Sequence, residues 1–281
     1  MGKARSIPQG SPGLSYTRVL MRFLSCIALA LLAPALVAAQ DAGARLDDLG
    51  TRLQFDYYTA DLAALERDQA NVAALDVPAA LAAVKAAYVG FGAWKRAELQ
   101  RAAEPARAAD AARLCIDALD RAVDLEPKRA ALHAMLAACQ RLVAELQGRV
   151  KAPLAAGRAK QSLERAMQLA PRQPHVLLIA GLAELDRARE GGGDLAAARQ
   201  TLAAATSAFD SAARSPATDD FSVALGWGAP EAWNALGQLE QLQGNPAAAR
   251  DAFERALVLV GDYRDVQQRL RQLTGSPGPA P

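Results

Sequence analysis

The sequence predicts an all-α fold, a solenoid of stacked antiparallel helix hairpins ending in a C-terminal capping helix. Three observations carry this. From Ala44 to Leu273 apolar residues recur at spacings of three and four, and no alternating run is long enough for a strand. Ala makes up about a quarter of the 281 residues and aromatics only 5%, which suits helices packed through small side chains and disfavours a β-sandwich. Helix-breaking residues fall at Asp76-Val77-Pro78, Glu104-Pro105, Glu126-Pro127, Ala152-Pro153, Ala170-Pro171, Gly191-Gly192-Gly193, Ser215-Pro216, Gly244-Asn245-Pro246 and Gly261-Asp262. They cut the chain into helices of about 12 to 25 residues, the lengths of a hairpin array.

Taken in order, residues 1–20 carry no helical pattern and read as an upstream extension. Translation starting at Met21 is the other reading of the same residues. Residues 21–39 have the form of a signal peptide: Arg22, an apolar run from Phe23 broken by Pro34, and Val37-Ala38-Ala39 before Gln40. The run falls short of the ~20 apolar residues that span a bilayer and lacks a basic stop, so cleavage after Ala39 without stable membrane insertion is expected. Cys26 lies before the apolar run, too early for a lipid acceptor. The Ala- and Arg-rich composition points to a Gram-negative source and hence to the periplasm.

This segment also decides the charge. The formal net charge is +2, yet residues 1–39 hold Lys3, Arg5, Arg18 and Arg22 and no acid, so the chain after Ala39 stands at −2. The basic excess belongs to the export segment. No basic stripe remains for nucleic acid.

Residues 40–78 read as a helical lead-in, with one long helix over 44–72 that includes Phe55, Tyr57 and Tyr58. Residues 79–261 hold the repeats. In the clearest one, Trp233, Leu236 and Gly237 on a first helix are followed, after the Gly244-Asn245-Pro246 turn, by Ala249, Phe253 and Ala256 on a second. Gly237 and Ala249 are small where two helix axes approach, and Trp233, Leu236 and Phe253 fill the space beside them. This resembles the tetratricopeptide repeat, with Glu240 where the family has Tyr and Gly261 where it has Pro. Weaker copies carry Cys115, Leu119, Ala122 and Pro127, then Ala159, Leu163, Ala166 and Pro171, and Ala180-Gly181 stands where Leu236-Gly237 stands later. The 130–170 unit has about ten residues more than the ~34-residue repeat. Over 262–274, Tyr263, Val266, Leu270 and Leu273 form one apolar stripe on an otherwise polar helix, as a solenoid cap requires. Residues 275–281 are a Ser/Pro/Gly tail, expected to be disordered. Gly191-Gly192-Gly193, followed later by Trp227-Gly228 ahead of Glu231-Ala232-Trp233, resembles a group of secreted bacterial repeat proteins with no assigned activity.

Catalytic chemistry finds little to stand on. Two His and three Cys, with no CxxC or HExxH, make a multi-ligand metal site improbable, and no cofactor is expected. The glycine cluster follows no strand and has no nearby Lys, so it reads as a helix stop before the Asp194 cap rather than a phosphate cradle. Cys115 and Cys139 are the only cysteines beyond the export segment. They lie at similar depth on antiparallel helices, so a disulfide is one reading and two buried thiols the other. His133 and His175 sit near the starts of first helices and read mainly as packing or surface residues.

The resemblance implies a non-enzymatic scaffold whose first helices line a concave groove holding a protein or peptide. The groove is expected to show Glu231, Asn234, Gln238 and Gln241, then His175, Leu178, Leu182 and Leu185, with Arg141 from the preceding repeat. The leading expectation is an adaptor for envelope assembly, secretion or transport. A small-solute-binding component of a transporter is the alternative, separated from it by shape: an enclosed polar cavity rather than an open groove.

Overall fold

A computed structural model describes residues 40–146, 148–214 and 227–275. The expected extension and signal peptide, and residues 276–281 of the expected tail, lie outside the described residues. Among those, eleven α-helices and no strand are present: α1 (40–58), α2 (Leu62–Ala74), α3 (Ala82–Gln100), α4 (Pro105–Leu125), α5 (Ala130–Leu146), α6 (Gly148–Leu169), α7 (Pro174–Arg189), α8 (Leu195–Arg214), α9 (Ala229–Leu242), α10 (Pro246–Leu259) and α11 (Arg264–Gly275). Four hairpins, α3–α4, α5–α6, α7–α8 and α9–α10, stack in sequence, with α11 packed on α10.

Two expected boundaries move. The single helix over 44–72 is two helices, because the chain turns at Ala60, whose φ is +52°. Asp61 then caps α2 by accepting the Ala64 N–H at 3.0 Å, satisfying a donor that the helix start leaves open. The break expected at Ala152-Pro153 lies instead before Gly148, and Pro153 sits inside α6. As the sixth residue of α6, Pro153 lies past the first turn and removes one i→i−4 backbone hydrogen bond from the helix. The extra residues of this unit thereby lengthen α6 rather than forming a long loop.

Three of the four hairpin crossings have the same construction. A Cβ on Gly237 would lie 2.5 Å from the Phe253 ring, one on Gly181 2.6 Å from Leu202, and one on Gly90 2.7 Å from Leu119. In each case a glycine on the first helix admits a large side chain from the second, so the two axes close onto one knob. Gly90 takes the part of Gly237 in the first hairpin, a role its sequence context conceals because longer helices separate it from Leu119.

The main hydrophobic core runs from Leu46 on α1 to Leu239 on α9. A second cluster joins Tyr58 of α1 to Ala249, Phe253, Ala256, Tyr263 and Val266 at the other end of the chain. The lead-in therefore reaches the last repeat. Between α4 and α5, Cys115 and Cys139 face each other as a disulfide, with Cα atoms 6.1 Å apart and both side chains buried.

Replacing Gly237 with Ala forces a methyl into the Phe253 ring. The expected loss is about 1–3 kcal/mol, read as a lowered midpoint in thermal unfolding, and the double variant Gly237→Ala/Phe253→Leu recovers part of it.

Candidate binding site

The concave face expected around Asn234 is not open. Glu231 is 7% exposed and Asn234 5%. The Glu231 carboxylate accepts the Tyr58 hydroxyl at 2.9 Å and the Gly228 N–H at 2.8 Å. Asn234 donates through Nδ2 to the Tyr263 hydroxyl at 3.2 Å and to Asp265 at 3.0 Å. Tyr58 and Tyr263 meet edge to face with ring centres 4.8 Å apart, and the Tyr57 and Tyr263 hydroxyls are 3.3 Å apart. The face is filled by the chain's own α1.

Helix α3 closes the same region with a buried cation. Lys95 is 1% exposed, and its Nζ lies 3.1 Å from Glu98 and 3.6 Å from Glu231. It also stands over the rings of Trp94, at 3.8 Å, and Tyr57, at 4.3 Å, so two carboxylates and two aromatic faces replace its water. Trp94 packs at right angles to Trp227, with centres 5.2 Å apart. His175 lies beside Trp227 at 4.4 Å and beside Phe209 at 4.9 Å, and its Nε2 is 2.9 Å from the Trp227 carbonyl.

The expected groove residues thus divide. Glu231, Asn234 and His175 are buried polar groups of the closure, and Leu178 and Leu185 are core. Leu182 is partly buried against that core. Gln238 accepts from Arg189 at 2.6 Å across α7 and α9, and Gln241 is half-buried. His133 is likewise buried, with Nε2 2.9 Å from the Pro127 carbonyl at the α4–α5 turn. The helical register is the one the periodicity predicts, but nothing in it announces that α1, more than 170 residues from Glu231 in sequence, folds over this face. Three neighbouring aromatic residues, Phe55, Tyr57 and Tyr58, are the only signal of it along the chain.

Of the expected set, Arg141 lines an open groove. A groove of about 820 Å³ runs between α5, α6 and α7. Seven of its twenty lining residues are alanine, including Ala137, Ala144, Ala156 and Ala183, with Leu163, Met167 and Ile179 between them, and eight are charged. It exists because α6 packs closely on α5 but only sparsely on α7. Pro153, Ala156, Lys160, Arg187 and Glu190 on its lips are exposed, which makes it an open groove rather than an enclosed cavity. Arg141 is ion-paired with Asp186, which also binds Arg189 at 3.1 Å. Burial, the largest influence, raises the Glu145 carboxyl above the usual range, while Arg141 and Arg101 hold it down.

No group of side chains able to hold a metal ion occurs among the described residues, and no described helix is long and apolar enough to cross a membrane. With hairpins, glycine-knob crossings and cap in place, the class follows: a tetratricopeptide repeat solenoid. Residues 230–263 match the family model described as tetratricopeptide repeat. The solenoid also resembles the crystal structure of a thermophilic TPR protein in Thermus thermophilus, at 17% identity, over 83% of this chain and 98% of that one, with a TM-score of 0.51. No curated protein matches the chain. The fold is that of a tetratricopeptide repeat solenoid, and α9–α10 is the repeat that the family model matches.

The closure makes a spectroscopic prediction. Beyond residue 39 the tyrosines are Tyr57, Tyr58, Tyr88 and Tyr263. Each is held above the usual phenol value, first by burial and then by nearby acids, chiefly Glu231 and Glu98 around the closure and Asp47 beside Tyr88. The folded side chains keep their protons where unfolded ones lose them, so stability falls as pH rises past about 10. Phenolate absorbance is expected to rise only together with loss of helical circular dichroism. A smooth titration near pH 10 with the helices intact would contradict the burial.

Proposed function

We propose that the protein is a non-enzymatic scaffold of the periplasm that holds a protein or peptide partner for envelope assembly, secretion or transport. The observation that carries this reading is the open groove between α5, α6 and α7. Repeat solenoids bind through exposed side chains on rigid helices, and this groove is an open surface of that kind, the concave face of the last repeat being occupied by Tyr57, Tyr58 and Lys95. The groove is open along its lips, whereas the small-solute alternative calls for an enclosed polar cavity.

The periplasmic assignment rests on the signal-like segment 21–39 and on the pairing of Cys115 with Cys139, which suits an oxidising compartment. With a sequence separation of 24, the cross-link is expected to contribute on the order of 3 kcal/mol by loop-closure entropy. Unreduced protein recovered from the periplasm and then denatured should show no free thiol, and its first residue should be Gln40. Two reactive thiols, or an intact residue 21–39 segment, would count against export and oxidation.

Partner binding is tested in living cells with a photo-crosslinking residue at Lys160, on the groove lip, and another at Asn234, inside the closure. The expected outcome is a discrete adduct from Lys160, none from Asn234, and loss of the first on Ala156→Trp, which fills the groove. Adducts that survive Ala156→Trp would refute the assignment of the groove.

A further inference from the structure

We infer that the groove between α5, α6 and α7 is a slot for a single amphipathic helix of a partner protein, about four turns long, with large apolar side chains on one face and Lys or Arg beside them. The inference rests on the scaffold reading above and adds the chemistry of the occupant.

Shape comes first. In the neighbouring hairpins the second helix lies against the next first helix, α4 on α5 and α8 on α9, whereas α6 touches α7 only sparsely. The groove is therefore the position of a missing neighbour. It is a lateral slot between repeats, separate from the row of first helices that α1 closes. Its lining on α6 runs from Ala152 to Gln168. At 1.5 Å per residue that is about 24 Å, the length of a helix of about 16 residues. Alanine walls leave holes rather than knobs, so the matching surface carries the knobs: Leu, Met or Phe at helical spacing.

Hydrogen bonding then selects helix over strand. An extended peptide would bring unpaired backbone N–H and C=O groups against the apolar floor of alanines, Leu163, Met167 and Ile179, where they would lose water without gaining partners, most of the charged residues lying at the exposed lips. A helix satisfies its own backbone and presents side chains alone.

Charge selects the flanking residues. Among the lining cations, Arg141 is taken by Asp186 and Lys160 pairs with Glu164 at 3.8 Å. On α7, Glu184 and Glu190 line the groove and neither forms an ion pair among the described residues. Arg187 is the lining cation that is left to offset these two carboxylates. Two carboxylates against one cation leave this wall negative, and a Lys or Arg carried by the docked helix would offset the excess.

The test uses the purified protein and two fluorescent peptides of about 16 residues, both amphipathic helices with the same Leu face, one with Lys and the other with Glu on the polar face. Fluorescence anisotropy is expected to show the Leu/Lys peptide bound at least about tenfold more tightly than the Leu/Glu peptide. Ala156→Trp, at an exposed position, is expected to weaken it by a similar factor, Glu184→Gln to weaken it about fivefold, and proline in the middle of the peptide to abolish binding. Unchanged circular dichroism and tyrosine titration show that the variants fold. Equal affinity for the two peptides, or binding indifferent to Ala156→Trp, overturns the inference. If no peptide binds while cellular adducts from Lys160 still vanish with Ala156→Trp, the helix slot fails and the scaffold reading stands. If the adducts persist in that variant, both fail.

Discussion

An ammonium group that has lost nearly all its water survives in a protein only where opposite charge and polarizable surface surround it, and Lys95 is so placed. Glu98 on its own helix and Glu231 on α9 supply the charge, and Trp94 and Tyr57 supply the rings. Because Glu231 also takes the Tyr58 hydroxyl and the Gly228 N–H, one carboxylate ties together α1, α3 and the start of α9. The remaining architecture follows from that junction. Tyr58 enters the cluster around Phe253 and Tyr263, Trp227 is pressed between Trp94 and His175, and the two ends of a linear array become neighbours.

Closure has a functional consequence. A solenoid ordinarily offers its inner row of helices to a ligand; here Asn234 and Glu231, polar and well placed on that row, direct their hydrogen bonds to the chain itself. An open groove lies instead in a gap between repeats. That gap originates in α6, a long helix whose apolar side residues Leu163 and Met167 are only partly covered because α7 stands off from it. The Cys115–Cys139 link lies on α4 and α5, within one turn of Ala137 and Arg141, so it braces the groove's floor rather than its mouth.

Much of this was legible along the chain. Gly237 opposite Phe253 and Gly181 opposite Leu202 are local relations, recoverable from helical period and from a turn of known composition. Cys115 and Cys139 could be set at one depth by counting outward from the turn at Pro127. The α1–α2 break was harder, since Thr59-Ala60-Asp61 interrupts the apolar period only briefly and Asp61 acts as a cap through a hydrogen bond that composition does not reveal. Burial of the polar residues on α9 was not legible at all. Glu231 and Asn234 share the spacing of a solvated helix face, and nothing local distinguishes water from a tyrosine hydroxyl as their partner.

The sequence by itself determined an all-helical repeat array, its hairpin order, the small residues at its crossings and a charge balance dominated by its first 39 residues, because each depends on neighbours within a few helical turns. Only the tertiary structure decided which face is open. That choice turns on contacts between residues separated by the length of the array, Tyr58 with Glu231 and Lys95 with Glu231, and on how sparsely α6 meets α7. Helical periodicity states which side of a helix is polar. Whether solvent, a partner or the far end of the same chain meets that side is settled by how the hairpins stack and where the superhelix brings its ends.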